Sequence, residues 1–332
     1  MKKLKLGVLG ISSHFVKRIL FPLKHSSLIE TYAIASRKYD KAKEFANKHG
    51  IEKYYGSYEE LLKNNDVDFV YIPLPNHLHV EYIKKSANAG KHVICEKPLS
   101  LSFESTKEAF DYAKSKGVLL MEAFMYKLHP QWKRAWEIVQ SGEIGKIRSI
   151  YCQFSYDNKD PSNIRNIKKY GGGGLYDIGV YAVSSARYLT NEEPKRVFCE
   201  LNIHPEWKID MLTSGILDFG AKRSMFTVST QAFPYQNVSV FGTAGVLSIK
   251  VPFNMFPDVP GEVTVETSIG KRTIFTKPED QYKLEFEEFA RTLTEKVSLP
   301  VSEKDSLDNA RVIDSMFESA EKEKWIELQS GS

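Results

Sequence analysis

Two stretches of this sequence bring together side chains that move protons at neutral pH. The first is Cys95-Glu96-Lys97-Pro98, which follows Leu74-Pro75-Asn76-His77-Leu78-His79 earlier in the chain. The second is the run Gly171-Gly172-Gly173-Gly174, followed directly by Leu175-Tyr176-Asp177-Ile178-Gly179-Val180-Tyr181. A lysine ammonium beside a reacting alcohol favours the alkoxide and lowers the pKa of a neighbouring acid. Asp177 and Tyr181 are four residues apart, so on a helix they share one face. Taking a hydride from a carbinol requires a partner for the hydroxyl proton. Tyrosine, with a free pKa of ~10, becomes a useful base only when a cation lowers that value. The pattern therefore makes Lys97, Tyr181 and Asp177 the candidate catalytic set, with Asp177 orienting substrate or relaying the proton. Each stretch also has a plainer reading: a lysine before proline is common on surfaces, and a tyrosine at this spacing can fill a core.

A third stretch, Gly7-Val8-Leu9-Gly10-Ile11-Ser12-Ser13-His14-Phe15, ends an apolar run. A dinucleotide site places glycines where a strand turns into a helix, so that backbone N–H groups approach the pyrophosphate. Gly10 fits the first position, Ser12 stands where a second glycine is usual, and Phe15 where a third glycine or alanine is usual. Serine hydroxyls also donate to phosphate, so Ser12, Ser13 and His14 stay with Gly10 and Phe15 as coenzyme candidates. An ordinary tight turn is the alternative. At the end of the second apolar run stands Ser36-Arg37-Lys38, with no carboxylate before Asp40. An acidic residue there would bind a ribose 2′-hydroxyl, whereas a hydroxyl and two cations suit a 2′-phosphate. NADP(H) is therefore the preferred coenzyme and NAD(H) the second choice. Arg37 and Lys38 also read as a solvated pair ahead of a helix capped by Asp40.

The elements that must hold these residues follow from the hydrophobic period. Short apolar runs at 4–10, 31–36, 68–75, 92–98 and 118–124 alternate with amphipathic helical stretches, the first ending near Pro22 and later ones near Gly50, Gly90 and Gly117. Strand and helix alternating in this way predict a parallel sheet wound on both faces. Asn76, His77, His79, Glu96, Lys97 and Pro98 then follow strand ends, on the side where such sheets bind ligands, and of these Asn76, His79, Glu96 and Lys97 join Leu74 and Pro75 as coenzyme candidates. After about residue 145 the period becomes two, in IRSIYCQFSY, VFCELNIH, TSGILDF, SMFTVST, NVSVFG, GVLSIKV, EVTVET and KRTIFT. Consecutive strands predict a largely antiparallel sheet. One helix near 175–189 interrupts it, another begins at His129 and Trp132, and two more close the chain near 282–296 and 304–324. The expected division is a nucleotide-binding domain over 1–122 and a substrate and oligomerisation domain over 123–332. An open sheet must cover its second face, and a homodimer or homotetramer does so.

Composition bounds the function. At 332 residues two domains are expected, and 42% hydrophobic with 27% charged residues is an ordinary globular balance. A net charge of +4 is too small for a nucleic-acid surface, and Lys2, Lys3 and Lys5 read as a solvated arm. The three cysteines have no paired spacing, which suggests a reducing compartment. No segment approaches a membrane span, and the apolar run after the first lysines is too short for a signal peptide, so the cytoplasm is expected. His77 and His79 lack the further ligands of a metal site, and none is expected.

Gly10 in its turn, PNHLH at 75–79, CEKP at 95–98, MEAFMYKLHPQW at 121–132 and GGGGLYDIGVY at 171–181 come in a familiar order and spacing. In this the chain resembles the glucose-fructose oxidoreductase, inositol dehydrogenase and dihydrodiol dehydrogenase group, the Gfo/Idh/MocA family. The resemblance covers nearly the whole chain, most firmly 1–190. It implies a Rossmann domain joined to an α+β domain with an open, mostly antiparallel sheet, through which dimers or tetramers form. It implies that Lys97 is catalytic, that the bond before Pro98 is cis, that Asp177 binds substrate, and that Tyr181 donates and accepts the proton. Tyr181, MEAFMYKLHP and the NIR segment at 163–165 look most similar to the dihydrodiol and NADP-dependent xylose dehydrogenase branch, with Lys127 where arginine is frequent. Phe124, Tyr126 and Tyr156, together with Trp132 and Tyr170, offer aromatic surface to a sugar or cyclic diol, and Arg165 and Asn163 offer hydrogen bonds. The activity implied is an NADP(H)-preferring dehydrogenase or reductase acting on CH–OH groups. Two other functions exist on the same architecture. A sugar sensor or co-repressor binds dinucleotide without turnover and has no need of a proton relay. A glycosidase with transient redox chemistry is tied to NAD, against which Arg37 and Lys38 speak.

Overall fold

A computed structural model describes residues 2–328; the outermost residues of the two expected segments, Met1 and 329–332, lie outside the described residues. In chain order the first part contains β1 (Leu4–Leu9), α1 (Leu20–Lys24), β2 (Ile29–Ala35), α2 (Tyr39–His49), β3 (Lys53–Tyr55), α3 (Tyr58–Leu62), β4 (Phe69–Ile72), α4 (His79–Asn88), β5 (His92–Glu96), α5 (Phe103–Ser115) and β6 (Leu120–Ala123). The second part contains α6 (Pro130–Gln140), β7 (Ile147–Asp157), α7 (Val180–Thr190) and β8 (Arg196–Ile203). It continues with β9 (Asp210–Asp218), β10 (Arg223–Ser229), β11 (Gln231–Gly242), β12 (Gly245–Ile249), β13 (Gly261–Thr267) and β14 (Gly270–Thr276). The chain closes with α8 (Gln281–Glu295), α9 (Glu303–Lys322) and β15 (Ile326–Glu327).

Two compact units result. One takes the described residues up to Met125 together with Gln281–Leu307; the other takes Tyr126–Asp280 with those from Asp308 onward, so the division falls inside α9.

In the first unit six parallel strands run in the order β3-β2-β1-β4-β5-β6. This is the doubly wound order of a Rossmann fold, whose switch point lies between β1 and β4. The strands are apolar on both faces because helices cover both. Leu9, Ala33, Val70, Val93 and Leu120 share one cluster with Ile83, Ala109 and Ala113 of α4 and α5. Gly50 closes α2 at φ +72°, as its position predicts. The first helical stretch is the one that departs from expectation. It opens with a wide π turn over Phe15–Ile19 and runs past Pro22 to Lys24, where the missing proline N–H leaves one helix hydrogen bond unmade. Neither β3 nor α3 was evident in the sequence. The helix α8 returns to this unit, with Phe286 against Tyr71 and Phe289 against Phe69.

In the second unit nine strands run in the order β14-β13-β12-β11-β7-β10-β9-β8-β15. All neighbours are antiparallel except β7 and β10, which pair parallel in register from Arg223↔Ser149 to Ser229↔Ser155. Alternation along β7 sends Ile150, Cys152 and Phe154 into the core and Tyr151 outward. α6 packs on β12 to β14, and α7 packs on β7. The three cysteines are buried and free. No described helix is long and apolar enough to cross a membrane.

Candidate active site

In the first unit the candidate residues follow the C-terminal ends of β1, β2, β4 and β5. Gly10 leaves β1 at φ +117°, a conformation that favours glycine, and a Cβ there would stand 3.2 Å from Leu74 Cδ2. The chain then enters a helical turn from Ser13. Ser12 Oγ accepts from the Phe15 amide at 3.0 Å, acting as the cap of that turn. The Phe15 ring is fully buried against Phe45 and Tyr71, so Phe15 belongs to the core and offers the turn its backbone alone. A glycine cradle opening onto a helix N-terminus fits a pyrophosphate. After β2, Ser36 is buried with its Oγ 3.3 Å from the Lys38 amide, while Arg37 and Lys38 are exposed. Lys38, not Asp40, is the residue that precedes α2, and Asp40 lies inside its first turn.

The turn after β5 is fixed from several sides. The Lys97–Pro98 bond is cis, as the resemblance implies. Glu122 of β6 accepts from the Leu99 amide at 2.8 Å. His79 is fully buried, with Nδ1 2.9 Å from the Pro98 carbonyl and Nε2 2.8 Å from the Leu74 carbonyl. Burial lowers its pKa against the pull of those carbonyls. Both ring nitrogens thus face protein, and His79 ties the loop after β4 to the turn after β5. Its strand-end neighbours differ: Pro75 and Asn76 are half-buried and His77 is exposed. Glu96 Oε1 accepts from the Tyr71 hydroxyl at 2.6 Å and lies 3.4 Å from His14 Nε2. Burial alone would raise the Glu96 pKa, but His14, the Tyr71 hydroxyl and Lys97 together hold it down to about 2. From α8, Tyr282 packs edge-on against His14 at 5.3 Å, and burial beside Glu96 pushes the Glu285 carboxyl well above its ordinary range. Lys97 itself is half-buried.

In the second unit the glycine run leads into a π turn over Leu175–Gly179 and then α7. Asp177 Oδ2 accepts from the Tyr156 hydroxyl at 2.6 Å, and Asp177 Oδ1 from Arg165 Nε at 3.1 Å. Two residues of the expected substrate set, Tyr156 and Arg165, therefore converge on the carboxylate of a third. Burial first, and then the Asp177 charge, push the Tyr156 phenol far up. Tyr181 is 6% exposed, its ring held between Phe253 at 5.1 Å, Tyr126 at 5.9 Å and Phe154 at 6.0 Å.

Tyr126 and, in the first unit, Phe124 are fully buried. Neither has the open aromatic face expected of a sugar contact. The Tyr126 hydroxyl bonds Ser184 Oγ at 2.7 Å, and its ring backs Tyr181. Lys127 is buried, with Nζ 5.9 Å from the Tyr188 ring. Sequence reasoning missed Phe253, which stacks on both Trp132 and Phe154 from the loop after β12. It also missed Asp210, Tyr71 and Glu122, whose contacts are distant in sequence. Only the buried acid inside the apolar MEAF stretch was a visible signal.

Comparison with known proteins decides the family. Residues 4–124 match the oxidoreductase family GFO_IDH_MocA with its NAD-binding Rossmann fold, and residues 132–248 match the GFO/IDH/MocA C-terminal domain. This chain belongs to the Gfo/Idh/MocA oxidoreductases. It is 37% identical to a D-xylose 1-dehydrogenase (NADP(+)) of Haloferax volcanii, over 97% of this chain and 99% of that protein. It is 34% identical to a trans-1,2-dihydrobenzene-1,2-diol dehydrogenase of Xenopus tropicalis, over 68% of each. The crystal structure of KijD10, a 3-ketoreductase of Actinomadura kijaniata in complex with NADP, superposes with a TM-score of 0.91 at 30% identity, covering 96% of this chain and 98% of that one.

Proposed function

We propose that this chain is an NADP(H)-preferring dehydrogenase or reductase that acts on a carbinol or carbonyl of a sugar, polyol or cyclic diol. The observation that carries the reading is the turn Glu96-Lys97-Pro98, braced by His79, Tyr71, His14 and Glu122 at the ligand-binding edge of the parallel sheet. Relatives named as NADP-dependent xylose dehydrogenase and as a ketoreductase crystallised with NADP support the coenzyme and the substrate class.

A bound nicotinamide coenzyme supplies the hydride acceptor or donor. Gly10, Ser12, Ser13 and His14 would hold its pyrophosphate, with the Phe15 backbone completing the turn. Ser36, Arg37 and Lys38 would hold the 2′-phosphate. Leu74, Pro75, Asn76, Glu96 and Lys97 would line the nicotinamide side, His79 acting through the loops it joins. Lys97 holds the substrate oxygen and favours its anionic form. Tyr181 gives or takes the hydroxyl proton, its ring fixed by Phe253, Phe154 and Tyr126. Asp177, with Tyr156 and Arg165 on its two oxygens, orients the substrate hydroxyls. The division of labour assigns nucleotide binding to 1–122, with α8 added to its support, and substrate binding and oligomerisation to 123–332. The outward face of the large sheet carries Tyr151, Phe241 and Leu212, each exposed, and a homodimer or homotetramer would cover it.

The test is a screen at 340 nm of aldoses, polyols and cyclic diols with NADP+ and with NAD+. Reduction of NADP+ by at least one of them, faster than reduction of NAD+, is expected. Arg37→Asp should shift the preference towards NAD+. No coenzyme turnover with any of the three classes would reject the reading, and an unchanged preference in the variant would reject the 2′-phosphate assignment.

A further inference from the structure

We propose that Asp210 is a positioning residue for the reaction, because its carboxylate locks the turn that carries Asp177 and leads into Tyr181 of α7. Asp210 is the first residue of β9 and is 3% exposed. Its Oδ2 accepts from the Leu175 amide at 2.6 Å and from Thr213 Oγ1 at 2.6 Å. Burial raises its carboxyl and outweighs the downward pull of the Thr213 hydroxyl and the amides of Leu175 and Gly174, leaving it at about 6. A carboxylate in this place satisfies amides that a helix start leaves without partners and complements its positive end.

The glycine run is what admits it. Gly173 sits at φ +122°, and a Cβ there would collide with Asp210 Oδ1. A Cβ at Gly172 would collide with the Arg165 carbonyl, and that same carbonyl accepts from the Gly173 amide at 2.9 Å. The Gly173 carbonyl in turn accepts from the Asp177 amide at 3.0 Å. Arg165 closes the circuit through its Nε on Asp177 Oδ1. The run of glycines therefore serves contact with a buried acid on one side and with the Arg165 backbone on the other. If the acid is removed, Leu175 and Gly174 lose their acceptor, and Arg165 and Asp177 lose a fixed reference together. Phe253 and Phe154 hold the Tyr181 ring, while Asp210 ties the turn that precedes it to the start of β9.

The proposal rests on the reading that Asp177 and Tyr181 serve the substrate, so the experiment carries Tyr181→Phe as a reference. Full-length wild type, Asp210→Ala, Asp210→Asn, Thr213→Val and Tyr181→Phe are compared by steady-state kinetics with D-xylose and NADP+. The NADPH dissociation constant is taken from fluorescence, and amide hydrogen exchange is measured over the whole chain. Asp210→Ala should lower kcat by roughly 10- to 100-fold, the cost of a misplaced catalytic group. It should speed exchange within 171–181 and leave NADPH affinity and exchange elsewhere in the sheets unchanged. Asp210→Asn keeps one acceptor oxygen and should fall between, with Thr213→Val nearer to wild type. If Asp210→Ala does not fold, those two variants decide. Wild-type kcat and exchange in Asp210→Ala and Asp210→Asn, beside an impaired Tyr181→Phe, would overturn the proposal, as would faster exchange spread evenly over the chain. A fully active Tyr181→Phe would instead remove Tyr181 from the chemistry. The exchange profile over 171–181 decides the lock whether or not D-xylose is turned over.

Discussion

Among single side chains, Glu96 shows most directly how the site is held. It keeps its charge within the fold because His14, Tyr71 and Lys97 outweigh the cost of burial. A carboxylate whose folded pKa lies below its unfolded value of 4.5 contributes stability at neutral pH. That contribution is complete above pH 4.5 and is lost as pH falls towards about 2. The amount is on the order of 3 kcal/mol. Urea unfolding between pH 7 and pH 2 should therefore show a steep acid loss in the wild type and a shallower one in Glu96→Gln; equal slopes would contradict this assignment. The sequence pointed to Glu96 and His14 separately, from a tripeptide and a turn. Their pairing, with Tyr71 beneath, depends on strand order and was not legible. His79 was readable as a strand-end histidine, but its burial between two carbonyls required the fold.

At the scale of elements, local chemistry was legible wherever it repeats. The two-residue period of β7 to β14, the glycine at the end of α2 and the strand-helix alternation of the first unit all follow from composition along the chain. The short β3 and α3 carry too few residues to show a period. The parallel pairing of β7 with β10 leaves no trace in either strand, since both alternate as antiparallel strands do. The glycine run at 171–174 announced a close approach and not its partner, because Asp210 stands beyond α7 and β8 in the chain and reads as a plain polar residue at a strand start. Gly173→Ala should cost about 2 to 4 kcal/mol of stability, from backbone strain and collision with Asp210 together. Thermal and urea unfolding would measure it, and a variant as stable as wild type would mean that the turn is not bound to Asp210 as described.

For the whole molecule, nothing in the hydrophobic pattern of α8 marks it as part of the nucleotide-binding unit. That assignment arises because Phe286 and Phe289 find aromatic partners in β4, far away in the chain. The large sheet is legible as open because its helices are too few to cover two faces. Tyr151→Glu combined with Phe241→Glu should convert a sedimenting dimer or tetramer into a monomer. A wild-type chain that already sediments as a monomer would dismiss the proposed interface. The central claim concerns Lys97, and turnover of Lys97→Met measured beside NADPH binding tests it most directly. The expected result is a loss of kcat of roughly 10²- to 10³-fold or more, with the NADPH dissociation constant nearly unchanged. Turnover at the wild-type rate would contradict it.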